Sequence, residues 1–372
     1  MLLEQSPLTA LKDFDLTLAN EVSIPVNSIN NLSIDYDIEN PYVSGSFELE
    51  TDFDLGESLD FKGETELQLQ ASDYYENKIN EKFIIFNFAC ERQSFNTYKS
   101  TGKFVDIVSW EFSKIFTSKG FNNCNLKDVL TDEQVGKSAL EKSPKDLDFD
   151  ETKKIDNFVI SGDKNLLSIQ NKMKEYFNCV FFQTHNEIKI KTWNNLFRKQ
   201  ILKIKDKEVN FINPAPNASD FFGILEFQSD SAKGLDISKY GTKVKSFSYN
   251  PLNRTVKPFE YDLKQANQDL NNLGEIKETS QAVKSIYVAH INPEEQIKYN
   301  FQRNLMFNSK IMFLTNGLLN INPGFTINLS FKQFEKNSEN LSGQYLITKV
   351  TDNITQGFLT QRIVATRPSS MS

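Results

Sequence analysis

The stretch that decides the fold lies in the C-terminal third: Lys310-Ile311-Met312-Phe313-Leu314, then Asn320-Ile321-Asn322-Pro323-Gly324-Phe325-Thr326-Ile327, then Gly343-Gln344-Tyr345-Leu346-Ile347-Thr348-Lys349-Val350, and finally Gln356-Gly357-Phe358-Leu359-Thr360-Gln361-Arg362-Ile363. These apolar-rich runs have strand length and are separated by polar or Pro-Gly breaks. They predict four strands, over 311–314, 325–331, 345–350 and 358–365. Just upstream, the pattern predicts a helix over 293–308. Asn292 stands at its cap, Pro293 at its first position, and Glu294 and Glu295 at the positive end of its dipole. Ile297, Phe301 and Leu305 form its buried stripe.

Further upstream the period-2 signal recurs. Apolar residues alternate through Phe14, Leu16 and Leu18, through Leu32, Ile34, Tyr36 and Ile38, and through Phe47, Leu49, Thr51 and Phe53. Between the last four sit Glu48, Glu50 and Asp52, so one face is core and the other acidic. Leu67 and Leu69 continue the pattern, and 83–88 reads as a strand buried on both faces. Such strands, broken by Asn-Pro and Gly, predict a sandwich or barrel. The middle differs. Residues 126–160 are rich in Lys, Asp and Glu and read as loop with one short helix. Asp163 is the expected cap of a helix carrying Leu166, Ile169, Met173 and Phe177 on one face. A strand over 179–183, a turn at His185-Asn186 and a return strand over 188–193 complete a small α/β lobe. Pro214-Ala215-Pro216 reads as a linker or sharp turn, strands return over 220–260, and 262–284 is polar and open between helix and irregular strap. The fold class is therefore mainly β (α+β): residues 1–122 form a first β domain, 123–206 the lobe and 207–372 a second β domain.

Composition narrows the function. The 372 residues are 39% hydrophobic with 31 Phe and 12 Tyr, but only two His and five Met. That balance suits packing better than proton transfer at neutral pH. A net charge of -7 argues against holding nucleic-acid phosphates by charge. The three cysteines, Cys90, Cys124 and Cys179, are odd in number and widely spaced, which fits neither a disulfide framework nor a zinc site and makes a reducing cytosol the expected folding compartment. Residues 1–10 carry no basic, apolar leader, and no run reaches the roughly 18 apolar residues of a membrane span. A soluble chain without membrane insertion is expected.

Several motifs only imitate chemistry. Asp146-Leu147-Asp148-Phe149-Asp150 has the alternating carboxylates of a calcium loop, but Glu151 stands where that loop needs Gly and Asn157 where it needs a bidentate Glu. Gly136-Lys137-Ser138 ends like a phosphate loop, yet Thr131 occupies the required first glycine and no strand is expected before it. His185 and His290 are far apart in sequence and lie in no nucleophile or metal motif, so structural roles are expected. A carboxylate pair of the glycosidase kind can come from anywhere in a chain with 49 Asp and Glu, and no pair stands out. Lys189, Lys191, Lys203 and Lys205 alternate with apolar residues and read as the wet face of amphipathic strands. Residues 35–66 are more unusual: eleven carboxylates and a single basic residue, Lys62. That bias carries self-repulsion.

The order of the C-terminal elements, helix, strand, Pro323-Gly324 turn, strand, Gly343-Gln344-Tyr345-Leu346-Ile347 strand and a final amphipathic strand, resembles the central baseplate hub proteins of contractile phage tails and the related hub portion of type VI secretion spike proteins. Chain length and the helix-plus-hairpin lobe between two β domains fit as well. The resemblance implies two tail-tube-like β-barrels per chain and a homotrimeric ring of six, joining a sixfold tail tube above to a threefold spike below. It implies spike, tube or tube-initiator and baseplate wedge proteins as partners, and DNA passing through a channel without specific binding. It implies a virion tail location with assembly in the host cytoplasm, and neither a cofactor nor catalytic residues. Glu48, Glu50 and Asp52 are then the candidate channel-lining acidic face, repelling DNA phosphates. Competing readings are another tube-end or distal tail protein, a carbohydrate-binding adhesin or a hydrolase. Only Trp110 and Trp193 are available to the adhesin.

Overall fold

A computed structural model of the chain describes residues 10–367 apart from 20, 60–63, 198–200, 205–206, 214–221, 231–242, 251–253, 270–282, 286–292, 308, 334–335 and 338–340. The Pro214–Pro216 turn, His290, Asn292 and Lys205 lie outside the described residues.

The N-terminal strands are β1 (Asp13–Leu18), β2 (Val22–Ile24), β3 (Ile29–Asp37), β4 (Ser44–Thr51), β5 (Thr65–Ser72), β6 (Lys78–Ser94) and β7 (Thr97–Asp106). They pair antiparallel in the order β2-β1-β5-β6-β7-β4-β3. The expected alternation is what fills the core: Leu16, Leu18, Leu32, Ile34, Tyr36, Phe47, Leu49, Leu67 and Leu69 all point inward and are buried. Two details differ. β4 ends at Thr51, so Phe53 falls past the strand and is 36% exposed. In β6 the register against β7 shifts between Ile85 and Asn87, and this bulge turns Phe86 out to 52% exposure, so 83–88 is not buried on both faces.

The middle of the chain holds β8 (Lys119–Phe121), β9 (Asp146–Phe149), β10 (Phe158–Ile160), β11 (Cys179–Gln183) and β12 (Glu187–Thr192). The expected helix spans Leu166–Phe177, but its cap is Asn165, whose side chain accepts from the Ser168 amide at 2.8 Å, and not Asp163. Residues 126–160 are more ordered than their composition suggests. Asn125 and Asp128 form a reciprocal capping box for the helix Leu126–Leu130, a second helix spans Lys137–Glu141, and β9 and β10 follow. These elements share one core with the helix Ile107–Lys114, built from Phe112, Leu126, Val129, Leu140, Met173, Phe177 and Ile190 among others. Trp193 does not extend β12; it opens a short helix, Trp193–Phe197.

The C-terminal part begins with the short strands β13 (Lys203–Ile204) and β14 (Lys207–Glu208), then β15 (Asn210–Asn213) and β16 (Phe222–Asp230). A side sheet follows, of β17 (Lys243–Asn250), β18 (Thr255–Asp262) and β19 (Val283–Ser285). Residues 263–269 of the polar stretch are helical (Leu263–Asp269). The last strands are β20 (Ser309–Asn316), β21 (Thr326–Gln333), β22 (Lys336–Asn337), β23 (Gly343–Thr355) and β24 (Phe358–Arg367). Here β23, β24, β20, β16, β15 and β21 pair in sequence, and β21 pairs back onto β23, closing a six-stranded barrel. The helix Pro293–Met306 ends two residues before the expected 308 and is buried on two faces. Ile297, Phe301 and Leu305 pack on Tyr261 and Val244, while Tyr299 and Met306 pack on Trp193 and Phe182.

β23 belongs to both β units. Its first residues, Gly343–Leu346, pair with β21, and Lys349–Ile354 pair with β3. The β23–β24 tip also reaches the segment before β1: the Leu11 amide donates to Gly357 O at 2.8 Å and Ala10 bridges Phe358, while the Gln356 amide donates to Ile29 O at the start of β3 at 3.0 Å. The tip can turn this tightly because Gln356 and Gly357 both adopt positive φ, 49° and 81°. Leu319, Ile354 and Leu359 complete the N-terminal core from the other end of the sequence. Among the described residues no helix is long and apolar enough to cross a membrane.

Candidate functional site

Of the three acidic positions singled out in the sequence, Glu48 and Glu50 lie on β4. Along β4 the inward residues are Phe47, Leu49 and Thr51, which leaves Glu48 half-buried and Glu50 exposed on the outer face. Asp52 is exposed but sits at a bend past the strand end. The neighbouring strands temper the charge. Lys99 of β7 pairs with Glu48 at 2.9 Å, and Lys349 of β23 pairs with Asp35 of β3 at 3.1 Å. Other carboxylates of the 35–66 run have structural work. Asp54 caps the helix Leu55–Ser58 by accepting from the Gly56 amide at 2.7 Å, and Glu39 pairs with Arg303. Self-repulsion is thus relieved by cations from strands distant in sequence, and Glu50 and Asp52 stay open to solvent.

A second cluster, wholly buried, ties the three parts together. His185 sits in the β11–β12 turn, as expected, and is 0% exposed. Its Nδ1 lies 2.5 Å from the Leu319 carbonyl and its Nε2 lies 2.7 Å from Asp352 Oδ2 on β23. With Asp352 ionised both partners are acceptors, and a ring that donates to both carries hydrogen on both nitrogens, as an imidazolium. Burial is the largest influence and pushes its pKa down, but the Asp352 and Glu81 carboxylates and the Leu319 carbonyl together outweigh it and the net shift is upward. The second Asp352 oxygen accepts from Gln361 Nε2 at 2.8 Å, and Gln361 in turn accepts the Leu318 amide at 2.9 Å. Beside the ring, Tyr36 of β3 stands edge-on at 4.6 Å and donates to Glu81 of β6 at 2.6 Å. Lys145 of the lobe lies 3.2 Å from the other Glu81 oxygen and donates to Thr184 O at 2.8 Å. Burial raises the Glu81 pKa against the pull of Lys145 and His185. Asp106, at the end of β7, caps the helix Ile107–Lys114 through the Ser109 amide and also accepts from Gln183 of β11 at 2.9 Å. With its members sealed from solvent, this junction is a clamp that fixes the lobe against both β units.

The lysine expectation is corrected at two positions. Lys189 is 5% exposed and pairs with Glu187 at 2.7 Å; Lys191 pairs with Asp148 at 2.6 Å and Asp150 at 3.1 Å. The reason is β9, which lies parallel along the free edge of β12 and brings the imitation calcium loop's carboxylates over the lysines. Lys203 is exposed. Among the described residues no group of three or more His, Cys, Asp or Glu is arranged to hold a metal. Gly136 does not join a phosphate loop but stands before the helix Lys137–Glu141. The Pro323-Gly324 turn also carries more than a change of direction. Gly324 has φ +90° and a Cβ there would lie 2.9 Å from the Phe182 ring, so the bare backbone lets the lobe close on the barrel.

No protein-family model and no curated protein sequence matches the chain. Solved structures do. A tail protein from Neisseria meningitidis MC58 superposes with a TM-score of 0.60 at 9% identity, over 95% of this chain and 96% of its own. The 43 kDa tail protein of prophage MuSo2 from Shewanella oneidensis gives 0.59 at 9% identity, over 96% and 98%. The E. coli c3393 protein, a type VI secretion component described as similar to the T4 tail proteins gp27 and gp5, gives 0.53 at 10% identity, over 96% and 77%. At such low identity the likeness is one of fold, and it extends over nearly the whole chain: this protein has the mainly β fold shared by these phage tail proteins and the type VI secretion component.

Proposed function

We propose that the chain is a structural subunit of a phage-type tail, and within it the central hub of a contractile baseplate. On this reading three copies form a ring in which two β units per chain supply six. The ring meets the sixfold tube or its initiator above, the threefold spike below and wedge proteins around it, within a virion tail assembled in the host cytoplasm. The observation that carries the reading is the pair of β units sharing β23, with the lobe clamped between them, in an arrangement that tail proteins match along almost their full length. Closed cyclic assembly also suits the surface. Phe86, Phe95 and Phe116 are 52%, 82% and 60% exposed, and a ring gives such side chains a neighbour to cover them. The work is mechanical rather than catalytic: the junction's charged residues are sealed away from any substrate. The outer face of β4, with Glu48, Glu50 and Asp52, is assigned to the channel wall, where carboxylates leave DNA nothing to hold.

Native mass spectrometry of the purified chain, with negative-stain images of the same sample, tests the reading. The expected result is a species near 128 kDa, three times 42.7 kDa, seen as a ring with an open centre. A persistent monomer that forms no ring even with a spike protein added would overturn it.

A further inference from the structure

Lys145, just before β9, and Glu81 of β6 meet inside the sealed junction, with side chains 4% and 1% exposed. A buried ion pair offsets its desolvation only when further hydrogen bonds satisfy the remaining protons and lone pairs. Here that is only half achieved. Lys145 Nζ donates to Thr184 O at 2.8 Å, and Glu81 Oε1 accepts from the Tyr36 hydroxyl at 2.6 Å. Glu81 Oε2 lies 3.2 Å from Nζ but off the direction of a hydrogen bond, and among the described residues no donor bonds to it.

An amine held this way against a carboxyl group is placed for condensation with it. Contact between the two groups falls in the ~3–3.5 Å range from which well-oriented partners react. Thr184 O holds the amine through one hydrogen, and Tyr36 bonds the oxygen on which negative charge develops during attack. The His185 ring stands 4.6 Å from the Tyr36 ring and adds its positive charge to the same surroundings. Burial raises the Glu81 pKa, which favours the neutral acid that condensation requires.

We propose that Lys145 Nζ and Glu81 Cδ join in an intramolecular isopeptide bond, which ties the lobe covalently to the N-terminal β unit. One ammonium proton passes from Nζ to Oε2, so that a neutral amine faces a neutral acid. The amine lone pair attacks Cδ and the C–N bond forms. The Cδ–Oε2 bond breaks, and Oε2 leaves as water with a second proton from Nζ. No co-reactant enters. The product completes the hydrogen bonding that the ion pair leaves open. Its amide N–H keeps Thr184 O, its carbonyl keeps the Tyr36 hydroxyl, and two buried charges disappear together with the unpartnered oxygen. In a linked chain Glu81 no longer titrates, and the pH dependence of the junction falls to His185. The assignment is independent of the hub reading.

Mass spectrometry of the full chain, denatured after prolonged incubation of the folded protein, tests it. The parent should be lighter than its sequence mass by one water, about 18 Da. A tryptic digest should contain a branched peptide in which Lys145 is joined to Glu81 and the chain is uncut after Lys145. Lys145→Arg keeps a cation at the site without a nucleophilic amine, and Lys145→Met removes the charge as well; each should show its full sequence mass. The digest of the parent decides the matter even where a variant fails to fold. A parent at its full sequence mass, or one whose lost water maps to another pair of residues while Lys145 and Glu81 occur only in separate linear peptides, would overturn the assignment. Loss of the same water from either Lys145 variant would overturn it too.

Discussion

At His185 two ring nitrogens face two acceptors, the Leu319 carbonyl and the Asp352 carboxylate, and only the protonated ring can donate to both. Stability follows from that demand. The folded pKa stands above the ordinary value near 6.5, because the cost of burial, the largest single influence, is exceeded by Asp352, Glu81 and the Leu319 carbonyl acting together. A raised pKa means that the folded chain binds the proton more tightly than the unfolded chain. The stabilisation is therefore complete below about pH 6.5 and is lost as pH rises through the folded value. Glu81, also raised, adds a loss in the same direction, so the histidine's share has to be read by difference. His185→Gln removes the cation and leaves Asp352 buried with Gln361 alone, an expected cost of about 3–5 kcal/mol at pH 6. Urea unfolding of both proteins between pH 5 and 9 checks this: the gap between them should narrow as pH rises, and a gap that widens would show that the ring is neutral in the fold. The sequence placed His185 in a hairpin turn, which was correct. It held no sign of Asp352, which lies 167 residues away and is one of 49 carboxylates.

Among the elements, the helix Leu166–Phe177 shows what periodicity gives and what it leaves open. Leu166, Met173 and Phe177 are buried as their spacing requires, and Ile169 packs against the same core. The start was misplaced because Asp163 and Asn165 are both good caps by residue type, and only the backbone decides which oxygen reaches an amide. Asn165 reaches Ser168, whereas Asp163 accepts from the Ser161 hydroxyl. Asn165→Ala should cost about 1 kcal/mol in urea melts, and Asp163→Ala no more than about 0.5 kcal/mol. The reverse ranking would restore Asp163 as the cap. Of the helices at 126–130 and 137–141 only one was expected; each has five residues, too few to show a period, the first is held by its capping box and both by contacts with distant parts of the lobe. Lys189 and Lys191 went astray for a related reason. Alternation in β12 separates its faces, but it says nothing of β9, which arrives in parallel from some 40 residues upstream to bring carboxylates over them.

At the scale of the whole molecule, the mainly β class and the strand pattern at both ends were legible because each strand writes its own alternation. The sharing of β23 was not, since one strand pairing with β21 in its first half and β3 in its second has no local signature. The acidic face shows the same division. The alternation of β4 put Glu48 and Glu50 outside, and only the assembled sheet supplied Lys99, 2.9 Å from Glu48, as a neutralising partner. What remains for a channel wall is a field weaker than the sequence suggested, concentrated at Glu50 and Asp52. Replacing Glu48, Glu50 and Asp52 together with Lys changes the formal charge of each chain by +6, and that of the proposed trimer by +18. All three side chains are at least partly exposed, and no core contact is lost, so the variant should keep the ring mass. If the face lines the channel, cations there will hold phosphates in passage. Assembled tails carrying the variant should then deliver DNA more slowly, with the defect relieved as added salt screens charges beyond about 10 Å. Delivery at the parental rate at low ionic strength, in tails shown to contain the variant, would show that this face does not line the proposed channel.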